Sequence, residues 1–160
     1  MLKQRAPVVA IVPTDRRLVL EEYFLGETSA WGMFHDRFGR IRRQFKVALV
    51  GQWDGHDLIL TEDFTYDDGS TDHRVWRIRK QDDATYQAVA NDVIGLVTGR
   101  IDGNQFRWTY DFRLAFGTRS LIMRFDDRMY QQDARTVINR TNVSKFGIKI
   151  GEISMFFRKG

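Results

Sequence analysis

From about residue 28 to the end of the chain, apolar and polar side chains alternate with the period of two that marks half-buried strands. Phe45, Val47, Leu49 and Trp53 share one face, against Arg42, Gln44 and Lys46 on the other. Leu58, Leu60, Phe64 and Tyr66 form the next apolar row, and Trp76 and Ile78 the one after it. Phe106, Trp108, Tyr110, Phe112 and Leu114 oppose Arg107, Asp111 and Arg113, and Leu121, Met123, Phe125 and Met129 continue the pattern. Turn signals separate the runs. Asp-Gly, the pair best suited to the positive φ angles of tight hairpins, occurs at Asp54-Gly55, Asp68-Gly69 and Asp102-Gly103. Further breaks fall at residues 36–40, 80–84, 93–95, 116–119, 131–135 and 145–147. The pattern predicts eight to ten strands joined by short connections.

Short connections pair neighbours antiparallel, and a meander this long hides its edges most simply by closing into an up-and-down barrel. The exception lies near the start, where "TDRRLVLEEYFLGE" predicts a helix over about 15–25. Thr14 or Asp15 serves as its N-cap, Leu18, Tyr23 and Phe24 as its apolar stripe, and Gly26 as its stop. The expected organisation is an N-terminal extension over 1–14 and a single β-barrel domain over 15–160.

Four charged residues fall on the inward rows: Glu62, Arg74, Asp92 and Asp127. A lone buried charge costs several kcal/mol, so these must be paired, neutralised or wetted. Three carboxylates against one arginine do not balance, and Arg140 or Lys145 would have to supply more positive charge. Three uses stay open for such a cluster: a brace inside the barrel, an anchor for a ligand head group, or a catalytic carboxylate pair.

Composition narrows the choice. The chain holds 160 residues with twelve Phe, five Tyr and four Trp, enough for an aromatic interior. The net charge of +4 is spread along the chain and does not form a nucleic-acid footprint, although "GRIRRQFK" and "RVWRIRK" would suit peripheral contact with a membrane surface. No cysteine is present, which removes disulfides, thiolate chemistry and zinc ribbons. His35, His56 and His73 lack metal-ligand spacing, so neither a metal nor a cofactor is expected. Nucleophile elbows, phosphate loops and dinucleotide fingerprints are missing as well. No apolar run reaches the length of a membrane span, and "MLKQRAPVVAIVPTD" is too weakly apolar for a secretory signal, so the expectation is a chain without an export address.

Taken together, "AWGMFHDRFGR", "GQWDG", "RVWRI", "NDVIGLVTG", "RWTY", "RFDDRMYQQD", "INRTNVSKFG" and "GEISMFF" resemble DUF3833, a bacterial family of unknown function whose members are often taken for lipoproteins. The resemblance spans Leu20 to Arg158 and is most specific from Arg124 to Gly147. It implies a lipocalin- or calycin-like barrel and a role in handling or modifying membrane lipids. It carries over no catalytic residue. The acylated cysteine of a lipoprotein has no counterpart here, although the resemblance allows a periplasmic or membrane-associated setting.

The leading expectation is a non-enzymatic barrel that binds a fatty acid or related lipid. Arg74, Trp76, Asp92, Trp108, Tyr110, Asp127 and Arg140 are the candidate ligand-binding residues. Two alternatives stand beside it: an accessory enzyme acting on an acyl chain with Asp92 and Asp127 as acid and base, and a structural or partner-binding barrel with no ligand.

Overall fold

The computed structural model describes residues 17–116 and 118–160. One helical turn, α1 (Leu20–Tyr23), precedes ten strands: β1 (Gly26–Asp36), β2 (Ile41–Trp53), β3 (Asp57–Tyr66), β4 (Thr71–Lys80), β5 (Thr85–Ala90), β6 (Val97–Asp102), β7 (Gln105–Phe116), β8 (Arg119–Gln131), β9 (Thr136–Lys145) and β10 (Ile148–Lys159). Each strand pairs antiparallel with its neighbours in sequence, and β1 pairs with β10 to close the barrel. Every predicted break falls on a connection between strands. The alternation decides which side chains enter. Val47, Leu49, Leu58, Leu60, Phe64, Trp76, Ile78, Tyr86, Phe106, Trp108 and Phe112 are all buried in one core. Closure pairs the first strand with the last, while the ladders of β4 with β5 and of β6 with β7 stop at Trp76 and Trp108.

The helix is shorter than the sequence predicts. Among the described residues of that span only Leu20–Tyr23 is helical, Val19 ahead of it is extended, and no side chain caps it. Its length is limited because the Leu18 N–H donates to the Gly103 carbonyl across the barrel end, at 2.9 Å, and Gly26 turns into β1 with φ of 78°. The proposed caps Thr14 and Asp15 lie outside the described residues. The turn acts as a plug. Leu18, Leu20, Tyr23 and Phe24 are buried at one end of the barrel. Phe24 meets Tyr23 and Phe157 edge-on, at 4.8 and 5.7 Å between ring centres. Lys159 Nζ donates to the carbonyls of Glu22 and Tyr23, satisfying helix-end acceptors. Glu21, buried beside them, accepts from Lys80 Nζ at 2.5 Å and from the Tyr86 hydroxyl at 2.6 Å. Burial alone would raise the Glu21 carboxyl, but these donors outweigh it and hold the group below its ordinary range.

The plug docks where β2 has no side chain. A Cβ on Gly51 would lie 1.8 Å from the Phe24 carbonyl oxygen. We expect Gly51→Ala to push α1 off the barrel end and cost about 2–4 kcal/mol, read as a lowered midpoint in urea denaturation. An unchanged midpoint would mean that the plug adds nothing to the fold.

Candidate functional site

The polar residues inside the barrel gather on two strand sets separated by β5 and β6. On β3 and β4, Glu62 and Arg74 are directly opposite each other in the ladder. Arg74 Nη1 lies 3.9 Å from Glu62 Oε2, the outer limit of an ion pair, and the two side chains retain 12% and 13% of their surface. The Arg74 guanidinium is covered by rings, 5.1 Å from the centre of Phe64 and 4.2 Å from that of Phe112. Burial pushes the Glu62 carboxyl up to about 7, because neither Arg74 nor the hydrogen bond from Trp76 fully offsets it and Asp127 adds repulsion.

On β7, β8 and β9, Asp127 is held from both sides. The Trp108 indole Nε1–H donates to Oδ2 at 3.0 Å, while Asn139 Nδ2 and the Thr141 hydroxyl donate to Oδ1 at 2.7 and 2.6 Å. Burial still raises this carboxyl, against those three donors. The donors are neutral, so the carboxyl is held by dipoles with no cation in contact. Between the two sets Trp76 and Trp108 stack at 4.5 Å between ring centres. Tyr110 packs edge-on against both indoles, and burial together with Asp127 pushes its phenol well up. The stack joins β4 to β7 across the short strands β5 and β6.

The interior is tightly filled at the plugged end, where Leu58, Tyr86, Phe106 and Val137 lose essentially all their surface. Toward the other end Phe45, Tyr66, Leu114, Leu121, Ile153 and Met155 are only partly buried. Arg43 caps that mouth, its guanidinium 3.4 Å from the centre of the Tyr66 ring. Arg74 thus sits among partly buried apolar side chains toward the mouth, held by rings and by one distant carboxylate, a setting that suits a ligand with one polar end.

Of the residues expected in the site, Arg74, Trp76, Trp108, Tyr110 and Asp127 come together inside. Asp92 and Arg140 do not. Asp92 is exposed after β5, with φ of 64°, and its carbonyl accepts from the Arg113 N–H at 2.8 Å. The inward row of β5 ends at Ala90, because the chain leaves the ladder there and takes a left-handed residue that aspartate tolerates. Asp92 and Asp127 therefore form no carboxylate pair. Arg140 points outward from β9 and pairs with Glu152 at 3.2 Å, because the inward positions of that strand belong to Asn139 and Thr141. Lys145 is spent at the rim, donating to the Ile122 carbonyl. Asn139 and Thr141, the partners of Asp127, were legible as two polar residues in phase with Val137 and Val143. Glu62 was in view on its row but was not among the residues proposed for the site.

The fold and its interior define a class: a single closed antiparallel barrel of lipocalin-like form, plugged at one end by a helical turn, with charged and aromatic residues inside. The chain belongs to DUF3833, a family of proteins of unknown function, whose family model matches residues 6–159. Among solved structures it is similar to an S-type phycobiliprotein lyase from Guillardia theta, with 10% identity over 90% of this chain and 94% of that one, at a TM-score of 0.63. It is also similar to a protein of unknown function from the DUF3598 family of Nostoc punctiforme, with 11% identity over 92% of this chain and 51% of that one, at a TM-score of 0.66. At such identities the likeness is one of fold. A comparison with curated proteins finds no match.

The raised Glu62 carboxyl has a consequence for stability. Between its ordinary 4.5 and about 7 the folded protein holds a proton on Glu62 that the unfolded chain has released. The folded state binds more protons in that window, so stability falls as pH rises through it, by up to about 3 kcal/mol. We expect Glu62→Gln to flatten this slope relative to the wild type in urea titrations taken across the window. Parallel slopes in the two proteins would mean that Glu62 is ionised throughout.

Proposed function

We propose that the barrel binds an amphipathic small molecule of the fatty-acid class, its acyl chain in the lumen and its carboxylate at Arg74. The observation that supports this reading is the weak engagement of Arg74: its carboxylate neighbour Glu62 stands 3.9 Å away and is half-protonated at about pH 7. A ligand carboxylate would replace Glu62 at the guanidinium with a shorter, two-pronged contact. The aromatic and aliphatic side chains of the mouth half supply apolar surface for the chain. Asp127, engaged by three donors, serves as the brace that holds Trp108 and, through the indole stack, Trp76. This divides the work that the sequence left open: Asp127 braces, and Arg74 anchors.

Delipidated protein titrated with a long-chain fatty acid should show saturable quenching of tryptophan fluorescence, since Trp76 lies two positions from Arg74 on the inward face of β4 and stacks on Trp108. Arg74→Gln should weaken binding by about tenfold or more, and wild-type affinity should decline above pH 7 as Glu62 ionises and competes for the guanidinium. Linear, non-saturating titrations, or an Arg74→Gln affinity equal to the wild type, would sink the proposal.

A further inference from the structure

Among the described residues, the end of the barrel opposite the plug carries the two large apolar side chains with the greatest exposure. Phe146 is 90% exposed on the β9–β10 turn, and Phe38 is 76% exposed on the β1–β2 turn. Because β1 pairs with β10, the two tips are neighbours, tied by the Arg37 N–H donating to the Ile150 carbonyl at 3.0 Å. They share a local sequence: Arg37-Phe38-Gly39 on one, Lys145-Phe146-Gly147 on the other. Each phenylalanine has the preceding cation over its ring, Arg37 at 4.8 Å and Lys145 at 4.4 Å from the ring centre. Ile41 and Ile148, both more than half exposed, flank the rings.

The β9–β10 turn shows that Phe146 does not serve the fold. Lys145 and Ile148 pair across it, and both residues between them have positive φ, 53° at Phe146 and 75° at Gly147. Such a turn favours asparagine, aspartate or glycine at its first position, and a bulky ring there is strained. The ring therefore occupies a strained backbone position and buries almost nothing in return. At the other tip Asp36 shapes the loop, accepting from the N–H groups of Phe38 and Arg40 at 2.9 and 3.1 Å and from Arg42 at 2.8 Å, so that Phe38 is presented outward.

Charge identifies what would receive these rings. Residues 36–42 and 145–152 carry five cations, Arg37, Arg40, Arg42, Lys145 and Lys149, against Asp36 and Glu152, and both carboxylates are already paired with cations. Two copies of the chain brought tip to tip would repel. An anionic bilayer offers the opposite charge to the cations and an apolar layer beneath it to the rings. The β3–β4 turn beside them holds Asp67 and Asp68, engaged with the Gln44 N–H and with Ser70, so contact is biased to the β1–β2 and β9–β10 side of the mouth.

We propose that these two hairpin tips form a docking surface for anionic lipid membranes, with Phe38 and Phe146 inserted at the interface and the surrounding arginines and lysines facing the head groups. This goes beyond the ligand-binding reading and does not depend on it.

The test is co-sedimentation of the whole protein with vesicles of phosphatidylglycerol and phosphatidylethanolamine at about 3:7, with phosphatidylcholine vesicles as the neutral control. The wild type should bind the anionic vesicles and be released when salt rises from about 0.1 to 0.5 M. Phe38→Ser combined with Phe146→Asn should weaken binding by about tenfold or more. Phe146→Asn alone should weaken it while raising the melting temperature by about 2 °C, an opposition of sign that a ring serving the fold would not give. Failure of the wild type to bind, equal binding to neutral vesicles, or binding unchanged in the double variant would overturn the proposal. A melting temperature lowered by Phe146→Asn would overturn it as well. So would a dimer that the double variant abolishes in the absence of vesicle binding, since the tips would then serve self-association. The readout is vesicle binding alone, so its outcome is separate from that of the fatty-acid titration.

Discussion

Closure of the sheet through the β1–β10 pairing is the constraint on which the rest depends. Once the last strand meets the first, alternate side chains of all ten strands enter an interior of limited width. What enters must either pack or be satisfied. Most of it packs, as rings: Trp76 on Trp108, Phe112 on Phe125, Tyr86 against Phe106. The glycines mark where packing comes closest. Phe106 lies over Gly99 and Phe45 over Gly32, in spaces where a Cβ would fall within 3 Å of ring carbons.

The interior solves the problem of buried carboxylates in three ways, and the differences separate structure from function. Glu21 has a lysine and a tyrosine in direct contact and stays ionised, fastening the plug to β4 and β5. Asp127 has three neutral donors from two strands and no cation in contact, an arrangement that fixes the orientation of Trp108 and ties β7 to β9 across β8. Glu62 has an arginine at the edge of reach and a carboxyl near neutrality. A group left that loosely engaged contributes little to the fold, and the same looseness leaves its arginine open to a competitor.

The barrel is also asymmetric along its axis. At one end α1, Lys159 and a layer of fully buried side chains close it. At the other, the inward side chains are partly accessible, and the turns outside carry rings and cations where polar turn residues would cost less. The long hairpins β1–β2, β7–β8 and β9–β10 carry that mouth outward, while β5 and β6, six residues each, leave the gap that the two stacked indoles fill.

The amino-acid sequence by itself determined the strand alternation, the positions of the turns and the inward placement of Glu62, Arg74 and Asp127. These depend on local periodicity and on turn residues whose backbone preferences act within a few positions. It misplaced Asp92 and Arg140 for one reason. A period of two can be counted along a strand, but where the strand stops and which parity faces inward are set by pairing with its neighbours. Asp92 lies just past the end of β5, and Arg140 has the parity opposite to Asn139 and Thr141. The long predicted helix shrank to one turn because the barrel end holds Leu18 and Gly26 in non-helical positions. Only the tertiary structure decided which inward charges meet. The distance from Arg74 to Glu62 and the convergence of β7 and β9 on Asp127 are properties of register and closure, which no single strand encodes.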